Sequence, residues 1–450
     1  MSENKEIFAI SHDLTLMSKG FDQDVSKASN SSRVKIDTQK ILKDKSIIPW
    51  GENNLFLEDL MQEAAKSTII PSTQEKIAAA IYGGGVVAGK LTWDEKGKET
   101  FKPILDESKE GIIIREFFRR SNIDTYAYEA ALNYVWSRNI RPHISLNNDE
   151  PGNRSITSIS NENSSKVRWG APKGNKWNTG VSEAFLHGKW ADISEANPAI
   201  PVPVIEEGFD TATTIKNFKE NTFILKLKIP GILGSEYYPT PNWYGAKLSK
   251  WLDVSLKIPK YKSYLMDNQM SIKYLIYIDL SYWSARYPDW EKKTLQEKKL
   301  LRSEVLSEFI KELKGTEKGG SAVMADMKIG PNGATQKLWE IEEIGKKSKN
   351  DNQYIEDSQE ASSHIMWALG ADPSVLGTGP GKGLSSGGGG DKRVGANLEV
   401  SKLRFVQNLI LKPLEYWRDT NDSIPEWVVF RFRNTIQLTL DQGKSQQETG

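Results

Sequence analysis

Apolar residues recur at helical spacing over 55–65 and again over 74–82, the second run rich in alanine. That run stops at Gly83-Gly84-Gly85, a strong helix terminator, because glycine alone enters the backbone conformations of a C-cap without strain. Residues 86–91 read as a strand. Residues 112–120 and 125–137 predict two helices, the second turning Ala127, Ala131, Leu132 and Val135 toward a core. Short strands at 141–145, 155–160 and 166–169 follow, split by Asn/Gly turns such as 147–153. Residues 172–178 form another loop. The Pro-rich stretch 198–204 predicts a linker or an edge segment, and 222–228 a strand.

The pattern changes after residue 240. Residues 243–266 are helical, with Leu248, Leu252, Leu256 and Ile258 on one stripe and a kink or restart expected at Pro259. Residues 272–283 are β-rich, with Tyr274, Ile276, Ile278 and Leu280 on one face. A long amphipathic helix is expected over 290–314, its stripe formed by Leu301, Val305, Leu306, Phe309, Ile310 and Leu313 and its end set by Gly315. Two long helices therefore bracket a β-insert. Residues 322–328 and 335–341 predict a hairpin through Pro331-Asn332-Gly333. A basic loop at 345–350, a helix at 354–369 stopped by Gly370, and a flexible Gly-rich segment at 377–395 come next. A helix over 397–416, reaching the region of Pro413, and a strand over 426–432 close the pattern. Residues 1–45 read as a partly ordered polar arm and the tail from 442 as frayed. There is no internal repeat and no heptad array.

At 450 residues the chain is too long for one compact core and implies about two to four domains. Its 38% hydrophobic share is low for a globular protein, as an elongated or multi-subunit molecule would require. The formal net charge is +1, which argues against tight non-specific binding to duplex DNA. Charge is modestly segregated: residues 241–320 carry a net +5 and the remainder −4. The chain has no Cys, excluding disulfides, thiolate zinc sites, iron–sulfur clusters and a Cys nucleophile. Residues 1–20 lack a continuous apolar run, so no signal peptide is expected there. No run of about eighteen apolar residues predicts a membrane span.

Catalytic signatures were sought without result. The four His residues, His12, His143, His187 and His364, lie far apart, none with a ligand partner three or four positions on. Neither a G-x-S-x-G elbow nor an H-E-x-x-H pair occurs. Glu342-Glu343 and Glu356-Asp357 read as solvated faces. The segment Gly379-Pro-Gly-Lys-Gly-Leu-Ser-Ser386 offers glycine amides, a Lys and hydroxyls, but Lys382 is followed by Gly383 and the strand-to-helix context of a phosphate-binding loop is missing. It reads as a connector, with a nucleotide-binding enzyme as the rival. No cofactor or metal is expected. The basic loop Gly345-Lys346-Lys347-Ser348-Lys349-Asn350 is a solvated turn in a monomer, but repeated around an axis it would build a field for phosphates.

Four stretches, in order, resemble the portal proteins of tailed double-stranded DNA phages. They are Ile48-Pro-Trp-Gly-Glu-Asn-Asn-Leu55 with Ile81-Tyr-Gly-Gly-Gly85; 156–170 ending Ser165-Lys-Val-Arg-Trp-Gly170; Tyr237-Tyr-Pro-Thr-Pro241 before a long helix; and His364-Ile-Met-Trp-Ala-Leu-Gly-Ala-Asp-Pro-Ser-Val-Leu-Gly377 before a Gly/Ser-rich stretch and a helix. The resemblance spans about residues 45–435. It implies an α+β portal fold. An N-terminal arm (1–45) would precede a mixed α/β wing (46–240 and 317–375), stem helices (241–270 and 290–316) and a small clip (271–289). A Gly-rich connector (376–395) would lead to a short helical crown with its tail (396–450).

The resemblance further implies a non-enzymatic homo-oligomeric ring, a dodecamer, at one capsid vertex of the virion, assembled in the host cytoplasm. Double-stranded DNA would pass through its channel, and there would be no membrane contact. Partners would be the terminase large subunit, major capsid and scaffold proteins, and a head–tail adaptor. Lys346, Lys347 and Lys349 would face DNA on the tunnel loop. Lys273, Tyr274, Tyr277, Tyr282, Trp283 and Arg286 would form the clip surface that docks the motor. The strand 273–280 would be a bare edge in a monomer, relieved by pairing with a neighbouring subunit. Another virion structural protein, a capsid or adaptor subunit, and a non-viral binding module are the remaining alternatives.

Overall fold

A computed structural model describes residues 5–8, 46–93, 95, 97, 99–173, 180–230, 237–269, 274–315, 327–329, 335–337, 339–343, 351–371, 389–437 and 446–449. In chain order the first elements are β1 (Lys5–Phe8), α1 (Phe56–Ala64), α2 (Ile70–Tyr82), β2 (Val86–Trp93), β3 (Glu99–Pro103), α3 (Lys109–Ser121) and α4 (Ile123–Ser137). There follow β4 (Pro142–Leu146), β5 (Ile156–Asn161), β6 (Val167–Trp169), β7 (Glu183–Leu186), β8 (Ile200–Glu206), α5 (Thr211–Lys216) and β9 (Thr222–Lys226). Next come α6 (Tyr244–Leu248), α7 (Trp251–Gln269), β10 (Tyr274–Asp279), α8 (Leu280–Arg286) and α9 (Leu295–Gly315). The chain closes with β11 (Met327–Ile329), β12 (Thr335–Lys337), β13 (Trp339–Glu343), α10 (Asp351–Leu369), α11 (Gly389–Thr420), β14 (Val428–Phe432), β15 (Asn434–Gln437) and β16 (Gln446–Thr449). Two compact units result: residues 28–258 with 354–450, and residues 1–27 with 259–353.

The larger unit is mixed α/β. A six-stranded sheet runs β5-β4-β9-β8-β7-β6, all neighbours antiparallel except β8 and β9. The parallel pair needs a crossover, which α5 supplies. A second sheet runs β14-β2-β3. In β14 the alternation of buried Val428, Phe430 and Phe432 with Val429 and Arg431 matches the pleat of a half-buried strand. These three join α2, α3, α4 and α11 in the main core, where Phe117 stacks on Trp417 at 4.0 Å. Residues 403–432 of the expected crown thus contribute to this core.

Local chemistry sets the helix ends. Ser108 Oγ accepts from Gly111 N at 3.0 Å to start α3. Asn122, in the left-handed region at φ 49°, turns the chain directly into α4. α11 continues through Pro413, where the expected helix stopped, to Thr420. Pro413 withdraws the amide that the Leu409 carbonyl would accept. The Tyr126 hydroxyl donates to the adjacent Ile410 carbonyl at 2.9 Å, tying the weakened turn to α4.

Several expectations are corrected. The Pro-rich stretch is no linker: it opens β8, which lies between β7 and β9, and residues 200–203 pair on the β7 side only, as an edge segment does. Its register explains how. Val204 N donates to Ser182 O at 3.0 Å on the β7 side, so the nitrogens of Pro201 and Pro203, one residue out of phase, face the other side, where pairing with β9 begins only at Val204. The helix expected over 243–266 breaks at Ser249-Lys250, with Lys250 at φ 69°, and runs unbroken through Pro259. Leu248 consequently leaves the stripe and is exposed, while Leu252 is fully buried. The Gly-rich segment is helical from Gly389 onward. Residues 446–449 of the tail pair with 434–437.

The smaller unit is built around β10, paired antiparallel to β1 on one side and β13 on the other. β10 is therefore an interior strand covered by its own chain, not the bare edge expected. Tyr274, Ile276 and Ile278 lie on the strand as predicted, but Leu280 opens a helix. The second long helix starts at 295 rather than 290, because Thr294 and Glu297 form a reciprocal capping box: Thr294 N and Oγ1 each donate to Glu297 Oε2 at 2.8 Å. The hairpin pairs 327–329 with 335–337; its turn, Pro331-Asn332-Gly333, lies outside the described residues.

Candidate functional site

The residues expected to form the clip fall in the smaller unit. Asp279 caps α8, its Oδ1 accepting from Ser281 N at 2.8 Å and Ser281 Oγ at 2.6 Å. This cap turns the chain from strand to helix and drives Tyr282 and Trp283 inward. Both are buried with Ile278, Trp290 and Val305, and the Trp283 and Trp290 rings stack at 5.1 Å. The Arg302 guanidinium lies 5.6 Å and 5.5 Å from the two ring centres. Tyr282 and Trp283 are therefore core residues of this unit, and a partner cannot reach them without opening it. Tyr274 stands opposite Glu343, and half-exposed Tyr277 stands opposite Ile7 and Glu340. Arg286 is exposed, and its Nη1 donates to Tyr282 Oη at 2.6 Å. Lys273, the tunnel-loop residues Lys346, Lys347 and Lys349, and the segment Gly379–Ser386 all lie outside the described residues.

In the larger unit, stretches that stood out in the sequence converge. Ile48 N donates to Trp169 O at 2.8 Å. Tyr238 Oη accepts from Trp169 N at 2.8 Å and donates to Ile48 O at 2.7 Å, while its ring stacks on Trp50 at 4.6 Å. At the centre is Arg168, 0% exposed. Its Nε donates to Asn54 Oδ1 (2.7 Å), Nη1 to Ser165 O (2.8 Å) and Nη2 to Asn54 O (2.8 Å) and Glu58 Oε1 (2.8 Å). Trp190 and Trp50 lie 5.0 Å and 5.5 Å from the guanidinium carbon. Burial pulls the Arg168 pKa down, and the Glu58 carboxylate opposes that shift. The 364–369 stretch joins the neighbouring cluster, where Ile365 and Met366 pack with Trp243 and Leu60. His364 stacks flat on Trp251 at 4.1 Å.

A second cation, Arg141, immediately precedes β4. It is 3% exposed, its guanidinium 4.1 Å above the Trp169 ring, with Nη2 donating to Asn139 Oδ1 at 2.7 Å. It lines a cavity of about 350 Å³ with Asn139, Glu206, Lys226, Lys228 and Tyr237. Arg168 was visible in the sequence only as part of a Val-Arg element, and nothing about Arg141 marked it as buried. The one available signal was an Arg flanking a strand of otherwise inward-facing residues.

Among the described residues no group of three or more His, Asp or Glu could hold a metal ion, and no helix is long and apolar enough to cross a membrane. The arrangement is one of buried cations between aromatic planes and carbonyls, which fixes backbone segments against one another.

No family model matches the chain, and no curated protein sequence matches it. Its fold is similar to that of a chain in the neck of an empty gene transfer agent (GTA) particle computed with C6 symmetry, at 13% identity and TM-score 0.53, covering 89% of this chain and 87% of that one. It is also similar to a chain of the virion of a native GTA particle (12% identity, TM-score 0.52, 88% and 89% covered). A chain in the neck of the native particle computed with C12 symmetry gives the same identity, score and coverage. The likeness extends over nearly the whole of both chains and defines a shared fold.

Proposed function

We propose that this chain is the portal subunit of a tailed-phage-like particle, a structural protein that assembles into a ring at one capsid vertex and conducts DNA. The observation that carries the proposal is the fold likeness over 88% or more of the chain to chains from GTA necks and virions, one neck computed with C12 symmetry. The sequence stretches that resemble portals support it independently, since three of them meet around Trp50, Arg168 and Tyr238.

In this reading the larger unit is the wing, and α7 and α9 supply the stem. The β10–α8 insert is the clip, and residues 396–436 complete the wing core instead of forming an extended crown. Lys346, Lys347 and Lys349 face DNA, where a few cations per subunit give weak, sliding contact rather than a grip. The clip surface that docks a terminase motor or an adaptor is formed by Lys273, Tyr274, Tyr277 and Arg286. Capsid and scaffold proteins contact the wing. Two of the similar chains come from particle necks, which also suits an adaptor subunit as the second reading.

Native mass spectrometry and electron microscopy of the purified chain separate these. A dodecameric ring with a channel wide enough for duplex DNA supports the portal. A chain that stays monomeric at micromolar concentration at every salt level sinks the ring altogether. A ring that binds only to a preformed portal vertex favours the adaptor.

A further inference from the structure

Two buried guanidinium groups lie near one another, Arg141 over the Trp169 ring and Arg168 beside Trp50 and Trp190, and among the described residues only one of them has a counter-charge. Arg168 has Glu58. Arg141 has none among the described residues: its side chain makes one hydrogen bond, to the neutral Asn139, and its Nε has no acceptor. A guanidinium has five N–H donors, so most of its capacity is unused. Burial pulls its pKa down, the neighbouring Tyr238 phenol opposes that shift, and the Arg168 charge adds to it. A buried cation without a partner is strongly unfavourable unless an anion reaches it.

The cavity it lines provides that access. Its two carboxylates are already engaged. Glu206 pairs with Lys226 and accepts from Val181 N at 2.9 Å. Glu207 Oε2 accepts from Lys228 N at 3.0 Å. Lys228 itself is exposed on the cavity wall. The volume, about 350 Å³, admits one small anion with several waters of about 30 Å³ each. The carboxylates on the same wall disfavour a polyanion.

We infer that the cavity beside Arg141 is a binding site for a single small oxyanion, such as phosphate or a carboxylate, held by the Arg141 guanidinium with Lys228 at its wall. A planar guanidinium backed by an aromatic face and presenting free N–H groups is suited to two-oxygen recognition. The anion would complete the charge balance of the sheet at β4 and β9, the place where the 237–241 stretch joins the core. This inference does not depend on the portal reading.

The test uses the full chain. Thermal unfolding and isothermal titration are run with phosphate, sulfate and acetate at low millimolar concentration, against chloride at equal ionic strength. Phosphate and sulfate at high concentration stabilise many proteins by exclusion, so saturation is the required signature. A saturable rise in unfolding midpoint is expected, with affinity reduced at least about tenfold in Arg141→Gln and by a few-fold in Lys228→Gln. The relative response to phosphate and acetate identifies which oxyanion the site prefers. If Arg141→Gln does not fold, Lys228→Gln decides: an unchanged affinity overturns the inference. A linear, non-saturating response of the unaltered chain also overturns it, because the guanidinium is then satisfied from within the chain.

Discussion

Replacing Arg168 with Met removes the charge while keeping much of the side-chain volume, which isolates the polar role of this residue. The structure sets the magnitude. Glu58, 23% exposed, can turn to water once its partner is gone, and Asn54 Oδ1 still accepts from Trp50 N at 2.9 Å. The Asn54 carbonyl, which faces the guanidinium in a buried bond, has no such recourse, whereas Ser165 is half-exposed. Each orphaned buried acceptor costs about 1–3 kcal/mol. Breaking a buried ion pair by removing one partner costs about 3–5 kcal/mol in total, and that figure, not the sum over every hydrogen bond, is the expected loss. Urea denaturation followed by tryptophan fluorescence reads it directly, because Trp50, Trp169 and Trp190 surround the site. The denaturant slope should stay constant, so that the midpoint shift reports stability. Glu58→Gln is the control: a neutral acceptor remains, so the loss should be about 1–2 kcal/mol. A loss below about 1 kcal/mol for Arg168→Met would refute the claim that this guanidinium holds the 48–55 and 165–170 segments together.

Three further outcomes are expected. Tyr126→Phe removes the donor to Ile410 O beside Pro413 and should cost about 1–2 kcal/mol, with faster amide exchange near residues 409–414 as the local readout. Trp283→Ala should unfold or loosen the smaller unit, at about 3–5 kcal/mol, while fluorescence and proteolysis of the larger unit stay unchanged; loss of partner docking without loss of folding would instead give Trp283 a contact role. Glu162 is held below the usual carboxylate range by its hydrogen bond with His143, so its contribution to stability is present above its unfolded pKa of about 4.3 and is lost as pH falls through the folded value. Glu162→Gln should therefore flatten the decline of stability below about pH 4.5, and an acid-unfolding profile identical to that of the unaltered chain would contradict this.

Much of the candidate site was out of reach of pattern reading for identifiable reasons. Tyr282 and Trp283 follow an apolar alternation, and strand periodicity extends smoothly into them; the Asp279 cap, which depends on one side chain, reverses the direction of the chain. β8 carries two prolines, which usually mark an edge, but register puts their missing amides on the side where β9 has not yet begun to pair. The exposed edge assumed for 273–280 vanishes because β1, some 270 residues earlier, covers it.

What the sequence determined by itself was the set of local elements and many of their ends. Glycine stops act within a few residues, and an apolar period marks an element and its inward face before the partner that buries it is known. The order of four short stretches also pointed to a protein family before any fold was known. Only the tertiary structure decided which strands are neighbours, that 403–432 belongs to the main core, and that Arg141 is buried over Trp169 and Arg168 beside Trp50 and Trp190. The physical reason is that burial and charge compensation are set by what surrounds a group in space: Tyr126 meets Ile410, and Arg168 meets Glu58, across separations that no sequence period encodes.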